Sequence, residues 1–284
     1  MKTPDTRRRG LLRVAVLCSQ RAPGLLHLLN FDRNRGRLFD VVCVVTSEAT
    51  YEEEVRVERR GVTSWPDPIR AFHERRGARL RGNLAVRADF DRQTLELLEP
   101  HRPDLVLLDG YLYLVSRTLL DGYPGRILNL HFSDLTLRLP DGRPRFPGVR
   151  AVRDALLAGQ PATCATVHLV NEVPDGGAPI VRSWNYPASP LVAHALERND
   201  VDLVRAYADA HQRWMLQSAS GPLLSAALDL IGSGNVDLDA LSTADPSTVA
   251  PWLLAEDRRL IPPCHDEPHA TDAQPSEEPL LIGA

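Results

Sequence analysis

Lysine, long apolar runs and paired cysteines are nearly or wholly missing from this chain, and each shortage excludes something. Of 33 basic residues in 284 only Lys2 is a lysine. So lopsided a ratio reflects a GC-rich coding bias rather than a use of arginine. The basic residues face 37 acidic ones, a net charge of −4. A protein that lives on nucleic acid needs a basic face to displace counterions, so nucleic acid is not an expected partner. No run of 18 apolar residues occurs, so no transmembrane helix and no membrane partner is expected. Arg7, Arg8 and Arg9 precede an apolar stretch at 11–18, which superficially resembles a signal peptide. That stretch is only eight residues, is broken by Arg13 and lacks a small-residue cleavage site. The four cysteines (Cys18, Cys43, Cys164 and Cys264) form no CxxC pair. A reduced, cytoplasmic protein without a disulfide framework is the expectation.

What is present is a rhythm. Short runs rich in valine and leucine recur at 11–18, 39–46, 104–108, 126–130, 163–170 and 180–184. Each is almost continuously apolar, as in strands covered on both faces. Helical patterns fall between several of them, at 24–30, 67–76, 89–99 with Asp89 as N-cap, and 149–158 before Gly159. A long helix follows over 200–231, with an interruption expected at Gly221-Pro222. Alternation of this kind predicts an α/β fold, a doubly wound, mostly parallel Rossmann-like sheet with C-terminal helices. Seven prolines then lie between Pro246 and Pro279, and from Ile261 onward there are five acidic residues and no Lys or Arg. The expected division is a catalytic domain over 1–234 and a disordered, proline-rich acidic tail over 235–284. Without the tail acids the body is near neutral, so attraction for an anion must come from local arginines.

Ligands of an open parallel sheet bind beyond the carboxyl ends of the strands. After the first strand stands Ser19-Gln20-Arg21-Ala22-Pro23-Gly24, neither a GxGxxG nor a Walker loop, which gives a nucleotide cofactor little support. After 104–108 stands Asp109-Gly110-Tyr111-Leu112-Tyr113-Leu114-Val115, apolar and aromatic enough to wall a flat ligand. In the next strand, alternation puts Asn129 and His131 on one face. The strand at 163–170 runs into an acidic turn, Asn171 to Gly177, that contains Asp175. An Asn can donate to an oxyanion, a His can move a proton near neutrality, and an Asp can orient the His. None of the three is a nucleophile, so the chemistry would be direct attack by the substrate on a carbonyl.

The runs "YPGRILNLHFS", "FPGVRAVRDALLAGQ", "TCATVHLV" and "PDGGAPIV" resemble the formyltransferase family that uses 10-formyltetrahydrofolate, and most of all its glycinamide ribonucleotide branch. The resemblance runs from about residue 13 to about residue 230. It implies a formyltransferase fold and catalytic roles for Asn129, His131 and Asp175, with Asp175 seven residues beyond His168. It implies that the backbone of Leu112, Tyr113, Leu114 and Val115 contacts the folate, with Arg87 approaching the ligands. It places Ser19, Gln20, Arg21 and Gly24 at the amine substrate. The implied reaction is attack of a small-molecule amine on the formyl carbon of the co-substrate 10-formyltetrahydrofolate. Purine biosynthesis and a homodimer are compatible with it, and no metal is implied.

Three features depart from that pattern. Ala22-Pro23-Gly24 replaces a Gly-Ser-Asn phosphate loop, which removes a backbone N–H and two side-chain donors, with Arg21 as the one compensating cation. Phe132 stands where a proline follows Asn-x-His, and the loop 133–145 is about eight residues longer. The "DGGAP" turn carries one residue more than Gly-Gly-Pro. Hence an amino-sugar nucleotide or another amine rivals glycinamide ribonucleotide as acceptor, and a non-catalytic folate- or metabolite-binding module is the alternative of another class. Arg75, Arg76, Arg79 and Arg81 read as a solvated face. Cys264, His265, Asp266, Glu267 and His269 look superficially like metal ligands but sit in the tail without a second cluster.

Overall fold

The computed structural model describes residues 10–80 and 83–263. Eleven strands are formed among them. β1 is Leu12–Cys18, β2 Phe39–Thr46, β3 Thr63–Pro66, β4 Leu105–Leu108 and β5 Ile127–His131. β6 is Ala162–Thr163, β7 Thr166–Leu169, β8 Pro179–Ser183, β9 Tyr186–Pro187, β10 Trp252–Leu254 and β11 Leu260–Ile261. Nine of them make one sheet, in the order β11-β10-β8-β7-β5-β4-β1-β2-β3. The half from β3 to β5 is parallel throughout. Beyond β5 the pairings with β7 and β8 are antiparallel, and β10 then pairs parallel with β8.

Helices cover both faces, as continuous apolar strands require. They are α1 Leu25–Asn30, α2 Glu54–Glu58, α3 Ile69–Arg75, α4 Leu84–Leu98, α5 Arg117–Gly122, α6 Ala151–Leu157, α7 Pro190–Glu197, α8 Val201–Gly232 and α9 Leu238–Thr243. Alternate strand residues divide between two cores. Val14, Val16, Leu105, Leu107 and Leu128 join α1, α6 and α8 on one face. Ala15, Leu17, Val106, Leu108 and Ile127 join α4 and α5 on the other. The strand order reverses between β1 and β4, which opens a crevice where their carboxyl ends diverge.

Several elements differ from the sequence expectation, each for a physical reason. The helix expected from Asp89 begins a turn and a half earlier, because the Asn83 side chain caps it by accepting from the Val86 amide at 3.1 Å. Asp89 sits inside the helix and pairs with Arg92. The single strand expected over 163–170 divides at Cys164-Ala165, where the chain leaves the small β6–β9 pair for the main sheet. The interruption expected at Gly221-Pro222 does not occur, and α8 runs through it. Ala219, Leu223 and Leu224 are fully buried around the proline, and their packing offsets its missing bond. A side chain at 221 would strike His27, so Gly221 is where α1 crosses α8 closely. Residues 238–261, expected within the disordered tail, include α9 and the short strands β10 and β11, which extend the sheet beyond β8. Strands of three and two residues give no periodicity a sequence pattern could show. The candidate metal-ligand cluster from Cys264 to His269, and Arg81, lie outside the described residues.

Candidate active site

β5 and β7 run antiparallel with Asn129 opposite His168 and His131 opposite Thr166. The pleat therefore brings Asn129, His131 and His168 to one face near the carboxyl end of β5. Asp175 reaches them from the turn after β7. Its φ is +55°, a left-handed conformation that Asp tolerates better than most residues. Two glycines follow it, and a side chain at Gly177 would run into the Leu169 carbonyl. The turn thus folds tightly back on the strand end, closed by the Leu169 amide donating to the Ala178 carbonyl at 2.9 Å.

One hydrogen-bond pattern fixes the protons. The His168 ring is buried, and its Nδ1 lies 2.6 Å from the Leu169 carbonyl, which can only accept. Nδ1 therefore carries the hydrogen, and Nε2 accepts from Asn129 Nδ2 at 3.2 Å. The same Asn129 nitrogen donates to Asp175 Oδ1 at 3.4 Å. Burial pushes the His168 pKa down to about 4, and the neutral ring fits its role as acceptor. His131 Nε2 donates to the Phe146 carbonyl at 3.0 Å, and its Nδ1 stands 3.5 Å from Asp175 Oδ1. The other carboxylate oxygen of Asp175 accepts from the Gly148 amide at 2.7 Å. The long loop after β5 thus supplies a carbonyl to His131 and an amide to Asp175. Neither backbone group has a sequence signature.

These residues form the floor of a cavity of about 430 Å³. Gln20, Arg21 and the loop Tyr111 to Val115 wall it on one side, and Val170 to Pro174 on another. Leu112, Leu114, Val149 and Val173 belong to its lining and are exposed apolar side chains that no other described residue buries.

Three residues expected in direct contact with ligand are not in this wall. Ser19 is fully buried; its hydroxyl pairs with Ser47 and accepts from the Leu112 amide at 3.1 Å. It anchors the loop, and it uses an amide of that loop which was expected to face the folate. Gly24 is pressed against Leu224 and the Ser220 carbonyl of α8. Arg87 is buried, paired with Asp91 at 2.7 Å and donating to the Tyr111 hydroxyl at 2.9 Å. Asp91 in turn accepts from the Ser116 amide, so this pair bolts down both ends of the loop 111–116. Arg75, Arg76 and Arg79 are exposed on the surface, away from the cavity wall.

Sequence reasoning also missed Asp109. It is wholly buried at the end of β4, and its Oδ2 accepts from the Gly24 and Leu25 amides at 2.9 Å each. Burial raises its pKa to about 7 against those two bonds. Among the described residues no helix is long and apolar enough to cross a membrane, and no group of three or more His, Cys, Asp or Glu side chains is placed to hold a metal.

Comparison with known proteins matches a formyl transferase family model over residues 12–210. The phosphoribosylglycinamide formyltransferase of Bacillus subtilis is 39% identical over 95 residues, 34% of this chain and 44% of that protein. The formyltetrahydrofolate deformylase of the same organism is 29% identical over 190 residues, 67% of this chain and 52% of that protein. The chain thus spans about half or less of the length of these two relatives. Among solved structures, glycinamide ribonucleotide transformylase 1 from Symbiobacterium toebii superposes with a TM-score of 0.56 at 28% identity, over 80% of this chain and 90% of that one.

Proposed function

This chain belongs to the formyl transferase family, and from that premise we propose that it moves a formyl group from 10-formyltetrahydrofolate to an amine by direct attack. The observation that carries this reading is the convergence of Asn129, His131 and Asp175, with 3.4 and 3.5 Å contacts to one carboxylate oxygen, at the floor of a single cavity. The cavity suits the co-substrate. A flat heteroaromatic ring fits between the apolar loops, and the exposed Leu112, Leu114, Val149 and Val173 cover the apolar faces of its extension.

The acceptor nitrogen attacks the formyl carbon, and the carbonyl oxygen becomes an oxyanion. Asn129 Nδ2 is the donor that meets it, trading the long bond to Asp175 for the developing charge while the bond to His168 holds the amide in place. His131 and Asp175 hold the proton that the amine loses. It is delivered, directly or through water, to the folate nitrogen as the carbon–nitrogen bond breaks. Phe146 and Gly148 fix the ring and the carboxylate from the far side. In this reading Leu112, Tyr113, Leu114 and Val115 face the folate. Gln20 and Arg21 face the acceptor, while Ser19, Gly24 and Arg87 support the loops.

The test uses the full chain with 10-formyltetrahydrofolate and a panel of amines, beginning with the phosphoribosylglycinamide for which its relatives are named. Folate product and formylated amine should form in equal amounts, and Asn129→Ala should lower kcat by roughly 100-fold or more. Formate release without any acceptor would show hydrolysis instead. Binding of a stable folate analogue without turnover on any amine would leave only a binding module.

A further inference from the structure

The crevice between β1 and β4 is where a doubly wound sheet receives a phosphate, provided the first βα turn offers free amides. Here none of four consecutive residues does. The Ala22 amide donates to Glu53 Oε2 at 2.8 Å. Pro23 has no N–H. The Gly24 and Leu25 amides both donate to Asp109 Oδ2. Both carboxylates are internal, Glu53 at 6% exposure and Asp109 at 0%. Two acidic side chains of the protein thus occupy the place of an anionic ligand.

The surrounding backbone gives little room for rearrangement. Gly110 has φ +73°, and a side chain there would strike the Arg21 carbonyl. The Ser19 amide donates to the Gly110 carbonyl at 3.3 Å and the Asp109 amide to the Leu17 carbonyl at 3.0 Å. Gly24 is held against α8. The two loops are therefore clasped together, with their donors spent on each other. A dianion entering this end of the cavity would find Arg21 as a cation but no amide of residues 22–25 free to bind it.

We propose that Asp109 and Glu53 are specificity-determining residues that fill the phosphate position of the first turn and select a small acceptor amine bearing no phosphate there. Neutral polar groups on such an acceptor can be met by the amides of Gln20 and Gln212, both in the cavity wall. This inference deepens the formyl-transfer reading and rests on it for the word acceptor. The exclusion of phosphate rests on the turn alone.

The experiment therefore has two independent arms. Calorimetric titration of the full chain with a stable folate analogue tests the transfer reading. Titration with ribose 5-phosphate tests the exclusion, whatever the first arm gives. The expected result is a Kd for ribose 5-phosphate weaker than about 1 mM; tighter saturable binding overturns the proposal. Asp109→Ser frees the Gly24 and Leu25 amides and should tighten ribose 5-phosphate at least tenfold. Asp109→Asn keeps an acceptor for them and should stay as weak as the parent. If a folded Asp109→Ser, checked by its melting transition, gains nothing, Asp109 is not the excluding group. With a matched pair of amines, the unphosphorylated member should be formylated at least as fast. A preference above tenfold for the phosphorylated one overturns the proposal even where folate binds.

Discussion

Replacing Asp175 by Asn isolates the one charge on which the proposed proton relay depends. Asn is nearly isosteric and also tolerates the +55° φ at this position, so the turn should keep its shape. Its amide oxygen can still accept from Gly148. What disappears is the attraction between a carboxylate and an imidazolium formed on His131 during transfer. The two side chains are 9% and 13% exposed and stand 3.5 Å apart. At an effective dielectric constant of about 20, unit charges at that separation attract by about 5 kcal/mol. The amide dipole and entering water restore part of this, which leaves about 3 kcal/mol. That is roughly a 100-fold loss in kcat. The assay is formyl transfer under saturating co-substrate, with folate-analogue affinity and melting temperature measured alongside. Affinity and melting temperature should stay close to the parent. A kcat within threefold of the parent, with the fold intact, would refute the relay and leave Asp175 a turn residue.

His168 makes stability depend on pH in a definite direction. Burial lowers its pKa from 6.5 to about 4, so between those values the unfolded chain binds a proton that the folded chain refuses. Stability should therefore fall as the pH is lowered through this window. His168→Gln, which keeps an acceptor for Asn129, should reduce the slope in denaturant melts at a series of pH values. The comparison is between variant and parent, because Asp109, raised to about 7 by burial, contributes a slope of opposite sign between 3.8 and 7 in both. In α8, Pro222→Ala restores a helical N–H in the middle of an unbroken helix. It should raise stability by about 1–3 kcal/mol. A drop in stability would show that the helix needs the proline's geometry.

The parallel half of the sheet and the convergence of Asn129, His131 and Asp175 were legible because both depend on local pattern. Strands 39–46 and 105–108 are apolar on both faces, and two-residue alternation is enough to place Asn129 with His131. Legibility ended where a role depends on a distant partner. Arg87 was expected at the ligands because the family resemblance implied it, yet its charge is met by Asp91 one helical turn away. Ser19 was expected at the substrate because it follows β1, yet its hydroxyl meets Ser47 and Leu112, and the latter is 93 positions away in sequence. Phe146 and Gly148 act through backbone atoms, which any residue type supplies. The strands at 252–254 and 260–261 take their order from the edge of the sheet, so the flanking Pro251, Pro262 and Pro263 outweighed their apolar residues in the sequence pattern.

Asp109 shows why the acceptor end of such a site is harder to read than the catalytic end. The proposed catalytic residues stand on the register of β5 and β7, where one slip would reverse every side chain and destroy the core. The sheet thus protects the geometry of Asn129 and His131 through packing. At the first turn, the same buried amides can be satisfied by an external anion or by an internal carboxylate. Either choice leaves β1, β4 and α1 in place. An Ala22-Pro23-Gly24 turn alone shows only that one donor is missing. The decisive step is that a side chain 84 residues beyond Leu25 takes two of the others. Because Asp109 also holds the start of α1 against α8, removing it should loosen that helix as well as open the turn. Changes in acceptor choice at this position are therefore coupled to stability, and a variant that gains phosphate binding should melt at a lower temperature until phosphate is added.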